Sequence, residues 1–207
     1  MKSLSFITPL FLAAAIAGSA AAADEVSALA VLASDADTEQ KAQACNDLAA
    51  VGTAKAVPAL AKLLGDEKLN DYARSGLEVI EDPSATKALL DALPTLKDRL
   101  LAGAVTSLGY RGDPSAVPAL QKLATEPASG VCEQALSALA MTGGDDAIKT
   151  IISVLKDGAA KCKVCAADAA LLAADRMKKA GKSPAALLDA IKAADVPANI
   201  KAAAAAM

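Results

Sequence analysis

Four cysteines are the first residues in this chain whose chemistry and spacing invite a functional reading: Cys45, Cys132, Cys162 and Cys165. Cys162-Lys163-Val164-Cys165 places two thiols one helical turn apart, on about the same face of a helix. In an oxidising compartment such thiols can pair, and Cys132 can reach Cys162 or Cys165 if their two helices pack side by side. The alternative is that they are buried free thiols acting as small hydrophobes. A third reading is thiol–disulfide chemistry at Cys162 and Cys165, with Lys161 and Lys163 favouring the thiolate. Redox Cys-x-x-Cys motifs, however, open a helix that follows a strand, and no strand pattern is present here. Covalent haem attachment needs a histidine at residue 166, which is Ala166. A four-cysteine zinc site would require Cys45 beside the other three.

The chain contains no histidine and no tryptophan. Without imidazole there is no Ser-His-Asp or Cys-His catalytic pair and no mixed His/Cys zinc site. Aromatic residues make up 2% of the chain, too few for a base-stacking platform. A formal charge of −3 argues against an electrostatic nucleic-acid footprint. No cofactor, no metal and no nucleic-acid partner is expected. The carboxylate pairs Glu81-Asp82 and Asp145-Asp146 sit where helices begin, and negative charge there complements the helix dipole. Arg111-Gly112-Asp113 spells a cell-adhesion tripeptide but reads as a turn between helices, with Asp113 capping the helix that Pro114 opens.

The elements that must position these residues are helices in a repeat. A small residue, an aliphatic or Thr, two residues and an aliphatic recur about every 30 residues. The copies are Ala56-Val57 with Leu60, Ala85-Thr86 with Leu89, Ala116-Val117 with Leu120, and Ala147-Ile148 with Ile151. A looser copy is Leu187-Leu188 with Ile191. A second apolar face precedes each one: Leu48/Val51, Leu77/Ile80, Val105/Leu108, Leu136/Leu139 and the adjacent pair Leu171/Leu172. Gly, Asp and Pro fall between the two faces and mark turns. The pattern predicts helices over 25–34, 38–51, 54–65, 68–80, 84–93, 95–109, 114–125, 129–142, 145–156, 160–180, 184–194 and 196–205. Each unit is a helical hairpin that cannot bury its apolar face alone, so the units must stack. The many alanines allow neighbouring helix axes to come close.

Relative to the anchors, two sets of polar residues recur on the second helices. Lys62, Asp91, Lys122 and Ser153 follow the anchors, and Lys55, Ser84, Ser115 and Asp146 precede them. They form either a binding stripe or an ordinary solvated face. Ala59, Ala88 and Ala119 are expected against a neighbouring helix.

The runs Thr53-Ala54-Lys55-Ala56-Val57-Pro58-Ala59-Leu60 and Asp113-Pro114-Ser115-Ala116-Val117-Pro118-Ala119-Leu120 resemble the second-helix signature of HEAT repeats. Leu48 to Gly52 and Val105 to Gly109 are similar to that family's first-helix turns. The stretches around Asp66-Glu67-Lys68-Leu69 and Cys162 to Pro197 resemble a bacterial subgroup of exported HEAT-like proteins. The resemblance covers roughly residues 38–200. It departs at Thr86-Lys87, where Val-Pro is the pattern. It implies an all-α fold, a right-handed α-solenoid of about five HEAT-like hairpins, with second helices lining the inner surface. It also implies a non-catalytic binding scaffold, a minority of the family resembling bilin lyases.

Residues 1–23 have the plan of a cleaved signal peptide: Met1-Lys2, an apolar run from Leu4 to Gly18, and Ala21-Ala22-Ala23 before Asp24. The apolar core is shorter than the about 20 residues of a bilayer span. The expected mature chain is residues 24–207, a single solenoid, periplasmic or secreted. Its expected partner is another exported protein, with no membrane insertion after cleavage.

Overall fold

The computed structural model describes residues 24–207, so the signal-peptide expectation for residues 1–23 lies outside the described residues. The fold is an all-α solenoid, with no strand among the described residues. Helix α1 spans residues 24–33. The first helices of the successive hairpins are α2 (Thr38–Val51), α4 (Asn70–Val79), α6 (Asp98–Arg111), α8 (Cys132–Thr142) and α10 (Ala160–Lys179). Their second helices are α3 (Val57–Ala61), α5 (Pro83–Ala92), α7 (Val117–Thr125), α9 (Asp145–Asp157) and α11 (Ala185–Ala193). Helix α12 (Ala198–Ala206) closes the stack.

Two rows result. In the first row α2 packs on α4, α4 on α6, α6 on α8 and α8 on α10. In the second, α3 packs on α5, α7 on α9, and α9 on α11. The rows are tied together by second helices lying against the next first helix, as α7 does on α8 and α9 on α10. One continuous core runs between the rows from Ala28 to Ala204. The recurrent anchors Leu60, Leu89, Leu120 and Ile151 are all fully buried. So are Leu48, Leu77, Leu108, Leu136 and Leu139 on the first helices. Leu171 and Leu172 are only half-buried, as their irregular spacing implies. Ala59, Ala88 and Ala119 are half-buried rather than sealed.

The capping chemistry follows the sequence. Asp37 opens α2 in a reciprocal box, accepting from the Gln40 N–H while the Gln40 side chain accepts from the Asp37 N–H. Asp82 and Asp113 each accept from the N–H two residues on, at 2.9 Å, to open α5 and the short 3₁₀ turn before α7. Gly112 ends α6 at φ 61°, a left-handed conformation that a side chain would strain. Gly109 has a different role. A Cβ there would come within 2.7 Å of the Ala138 Cα, so its absence lets α6 and α8 approach.

Some boundaries differ from expectation. The segment expected as a helix over 54–65 is a five-residue helix, Val57–Ala61, between tight turns. Pro58 supplies no N–H, and Leu63 and Leu64 bond three residues back, to Leu60 and Ala61. The carbonyl of Leu64 instead accepts from the buried Asn70 side chain. Helix α6 begins at Asp98 rather than 95, because Lys97 is extended and Asp98 itself has φ 45°. Helix α8 begins at Cys132 rather than 129, after a 3₁₀ turn over Pro127–Ser129 and a left-handed Gly130.

Candidate functional site

Three sets of residues compete for function: the polar side chains of the second helices, the cysteines, and a group of arginines that sequence reasoning missed.

On the second-helix row, Lys55, Lys62, Asp91, Lys122 and Asp146 are all exposed. Asp91 pairs with Lys87 one turn earlier on α5, at 2.6 Å, and Asp146 pairs with Lys149 on α9, at 3.2 Å. Lys62 lines an open cavity of about 700 Å³ between the turns 61–67 and 92–100. Lys97, Asp98, Arg99 and Glu67 share that cavity wall, so its charge is mixed. Lys55, Lys62 and Lys122 make no ion pair among the described residues. Each carries its charge into solvent on a separate helix or turn.

The cysteines divide by place. Cys45 is fully buried in α2, where burial pushes its thiol up to about 11. Helices α4 and α6 separate it from the other three, which lie on α8 and α10. No grouping of His, Cys, Asp and Glu among the described residues is placed to hold a metal ion. Cys132 starts α8, and Cys162 stands near the start of α10, the helix packed against it. All four cysteines are free thiols in this structure, so the expected pairing is present as proximity and not as a bond. Burial, with Cys162 beside it, pushes the Cys132 thiol up to about 12. Burial also raises Cys165, and Glu133 adds to the effect. Lys161 acts in the thiolate-favouring direction expected from the sequence, but it is outweighed at both sites. A reactive thiolate needs the opposite balance.

Arg111-Gly112-Asp113 is a structural junction. The Arg111 guanidinium reaches back one repeat. It donates to the carbonyls of Leu77 and of Ile80, the latter at 2.7 Å, and to the Thr86 hydroxyl at 2.7 Å. Partial burial lowers its pKa. Hydrogen bonds from the Ser115 backbone and hydroxyl, and from Thr86, hold the Asp113 carboxyl below its usual range. Thr86 is thus buried between Arg111 and Asp113, which accounts for Thr standing where the repeat elsewhere has an aliphatic residue. Asp82 is lowered in the same direction by Ser84, whose N–H donates to it at 2.9 Å.

A second arginine, Arg74 on α4, is mostly buried and bridges to α6. Its Nη1 donates to the Ser107 hydroxyl at 2.9 Å, and Ser107 in turn donates to Glu78 Oε1 at 2.5 Å. Its Nε donates to Asn70 at 3.0 Å and its Nη2 pairs with Asp71 at 2.6 Å. Arg99 at the start of α6 pairs with Glu67 at 2.9 Å and Asp71 at 3.3 Å. The arrangement is a set of fixed ion pairs and hydrogen bonds between hairpins. Most of the partners lie about one repeat away in sequence. Their shared offset is the one signal that would have found them.

The large exposed apolar side chains also escaped the sequence reading. Val26, Tyr72, Val79, Tyr110 and Val164 all stand on first helices or α1, none on a second helix.

Residues 86–170 match the family model of HEAT repeats. That segment covers the Thr86 junction, α6 to α9 and most of α10. No curated protein matches the sequence. Among solved structures the chain resembles the crystal structure of an engineered protein, with 23% sequence identity and a TM-score of 0.43, over 88% of this chain and 94% of that one. No helix among the described residues is long and apolar enough to cross a membrane.

Proposed function

We propose that this helical repeat scaffold is a non-catalytic binding protein of an exported compartment, and that it engages another exported protein through its second-helix row. The observation that carries the reading is the exposed charge at recurring positions of successive units: Lys55 and Lys62, then Asp91, then Lys122, then Asp146. A stack of packed hairpins presents such side chains with little ordering left to do on binding. The three lysines without an ion partner are the side chains most ready to meet a partner's carboxylates. The raised thiols of Cys132 and Cys165 weigh against a thiol–disulfide enzyme. The exported setting rests on the signal-peptide pattern of residues 1–23.

The test is affinity capture of the processed chain from its own exported fraction under mild cross-linking. A parallel capture carries Lys62→Glu, Asp91→Lys and Lys122→Glu. One discrete partner lost in the substituted chain is the expected result. A partner retained there moves the binding surface to the first helices, where Tyr72 and Tyr110 stand. Detection of the chain in the cytoplasm with Met1 intact overturns the exported setting.

A further inference from the structure

Cys132 is the first residue of α8 and Cys162 the third of α10, and those two helices pack on one another. Both side chains are buried, and Cys162 is near enough to act on the Cys132 thiol. Cys165 stands one turn further along α10 and is half-exposed. A small cavity of about 150 Å³, walled by Thr125, Ser153, Asp157 and Ala159, opens onto Cys162. Helix α10 is also the first helix most in need of a tie. Its buried residues are six alanines and Cys162, whereas α2, α4, α6 and α8 each bury at least one leucine. Alanine removes less apolar area from water than leucine, so the α8–α10 interface gains less per residue.

We propose that Cys132 and Cys162 are the sites of a disulfide that clamps α10 onto α8, with Cys165 left as a free thiol. The pairing is selective for a geometric reason. Residues three apart on a helix hold their Cβ atoms about 5–6 Å apart, and a disulfide needs about 3.5–4.5 Å. Linking Cys162 to Cys165 therefore requires α10 to unwind, while linking Cys162 to Cys132 joins buried side chains on two helices already packed together. The oxidant is a small-molecule or protein disulfide. One cysteine thiolate attacks it, forming a mixed disulfide and releasing one thiol of the oxidant. The second cysteine displaces the other thiol. The two cysteines lose two protons and two electrons, and the oxidant's disulfide becomes two thiols. Burial of the thiols in the folded chain places the attack on the oxidant during folding, before α10 is sealed, and the closure of Cys132 onto Cys162 as α10 docks on α8. The proposal shares only its oxidising setting with the exported reading above.

The experiment uses the full chain, unfolded in urea and refolded with either oxidised glutathione or a dithiol reductant. Proteolytic mapping under non-reducing conditions is expected to show one cross-link, Cys132 to Cys162, with Cys45 and Cys165 open to alkylation after denaturation. The oxidised chain is expected to melt roughly 5–10 °C higher than the reduced chain. Cys165→Ser should retain that shift, and Cys132→Ser and Cys162→Ser should lose it. Should either of the latter fail to fold, the oxidised and reduced forms of the unsubstituted chain decide alone. A Cys162–Cys165 cross-link, four free thiols after oxidative refolding, or a cross-link without a rise in melting temperature each overturns the proposal. Failure of the exported reading shows separately. It leaves all four thiols free in chain trapped from the producing cells, although the refolded chain cross-links.

Discussion

The α4–α6 and α8–α10 interfaces are built by different means. Between α4–α5 and α6, directional polar contacts cross from one hairpin to the next. Arg74 reaches Ser107 and the Gly103 carbonyl, Arg99 reaches Glu67 and Asp71, and Arg111 holds Thr86 and the carbonyls that end α4. Between α8 and α10 no such contact exists among the described residues. The ion pairs beyond α7 all lie within single helices: Lys149–Asp146, Lys179–Asp175 and Lys192–Asp189. Exposed pairs of that kind add little to stability. The α8–α10 interface joins α8 to a helix whose buried residues are mostly small, such as Ala166, Ala167, Ala170 and Ala174. A repeat stack can therefore be held either by a few fixed polar contacts or by many weak apolar ones. The polar version sets the register of two hairpins. The alanine version sets distance but restrains sliding less, because a row of methyl groups offers few unique fits.

The largest effect should follow from removing Arg111. Arg111→Ala leaves the Leu77 and Ile80 carbonyls and the Thr86 hydroxyl without their donor in a partly buried junction. A loss of about 2–4 kcal/mol is expected in urea unfolding. Arg111→Lys should recover little of it, since one ammonium cannot span those acceptors. An Arg111→Ala chain as stable as the unsubstituted one would remove the polar side of the comparison.

Next in size is the close approach of α6 and α8. Gly109→Ala drives a Cβ against the Ala138 backbone. The gain in helix propensity of about 1 kcal/mol is outweighed by overpacking of about 1–3 kcal/mol. Net destabilisation in thermal melting is expected. Equal or greater stability would mean that this interface is looser than its geometry implies.

Titration sharpens the contrast at both pH extremes. Asp82 and Asp113 have carboxyls held below their ordinary values in the folded chain. The unfolded chain therefore binds protons first as pH falls. Their stabilisation is complete above about pH 4 and is lost as pH drops through the lowered folded values. The reduced thiols work in the other direction. Cys132, raised from 9.0 to about 12, stays protonated in the folded chain while the unfolded chain ionises. Its contribution is complete below pH 9 and is lost as pH rises towards 12. Acid unfolding should thus be blunted by Asp82→Asn and Asp113→Asn. Alkaline unfolding should be blunted by oxidation of Cys132. Curves of urea midpoint against pH for the four forms check both signs.

The smallest effect on stability is expected at the second-helix lysines. Lys62→Glu and Lys122→Glu should each stay within about 0.5 kcal/mol, because both side chains are exposed and make no ion pair among the described residues. A larger loss would make them part of the scaffold and not of its surface.

The sequence displayed the helices and the core through one rule, an apolar anchor preceded by a small residue every 30 or so positions. Leu60, Leu89, Leu120 and Ile151 obey it and are fully buried. Arg74 and Arg111 obey no pattern of their own. Arg111 spends its guanidinium largely on backbone carbonyls, which have no residue-type signature. Its one side-chain partner, Thr86, stood out as a break in the repeat, but the break says nothing of what fills it. That Cys132 could reach Cys162 or Cys165 was legible from the packing of neighbouring first helices, but which of the two it meets was not. The thiols' raised values were not legible either, because burial outweighs the visible charge of Lys161. The short α3 was hidden for a similar reason. Whether Leu64 continues a helix depends on the Asn70 side chain that takes its carbonyl.

The central claim is that polar contacts hold the α4–α6 interface more tightly than alanine contacts hold α8–α10. Native-state hydrogen exchange on the reduced chain, followed at increasing sub-denaturing urea, tests it most directly. The account predicts that amides of α10 to α12 lose protection at lower urea than those of α4 to α6, and that oxidation of Cys132 and Cys162 narrows the gap. Loss of protection in α4 to α6 first, or in all helices together, would contradict it.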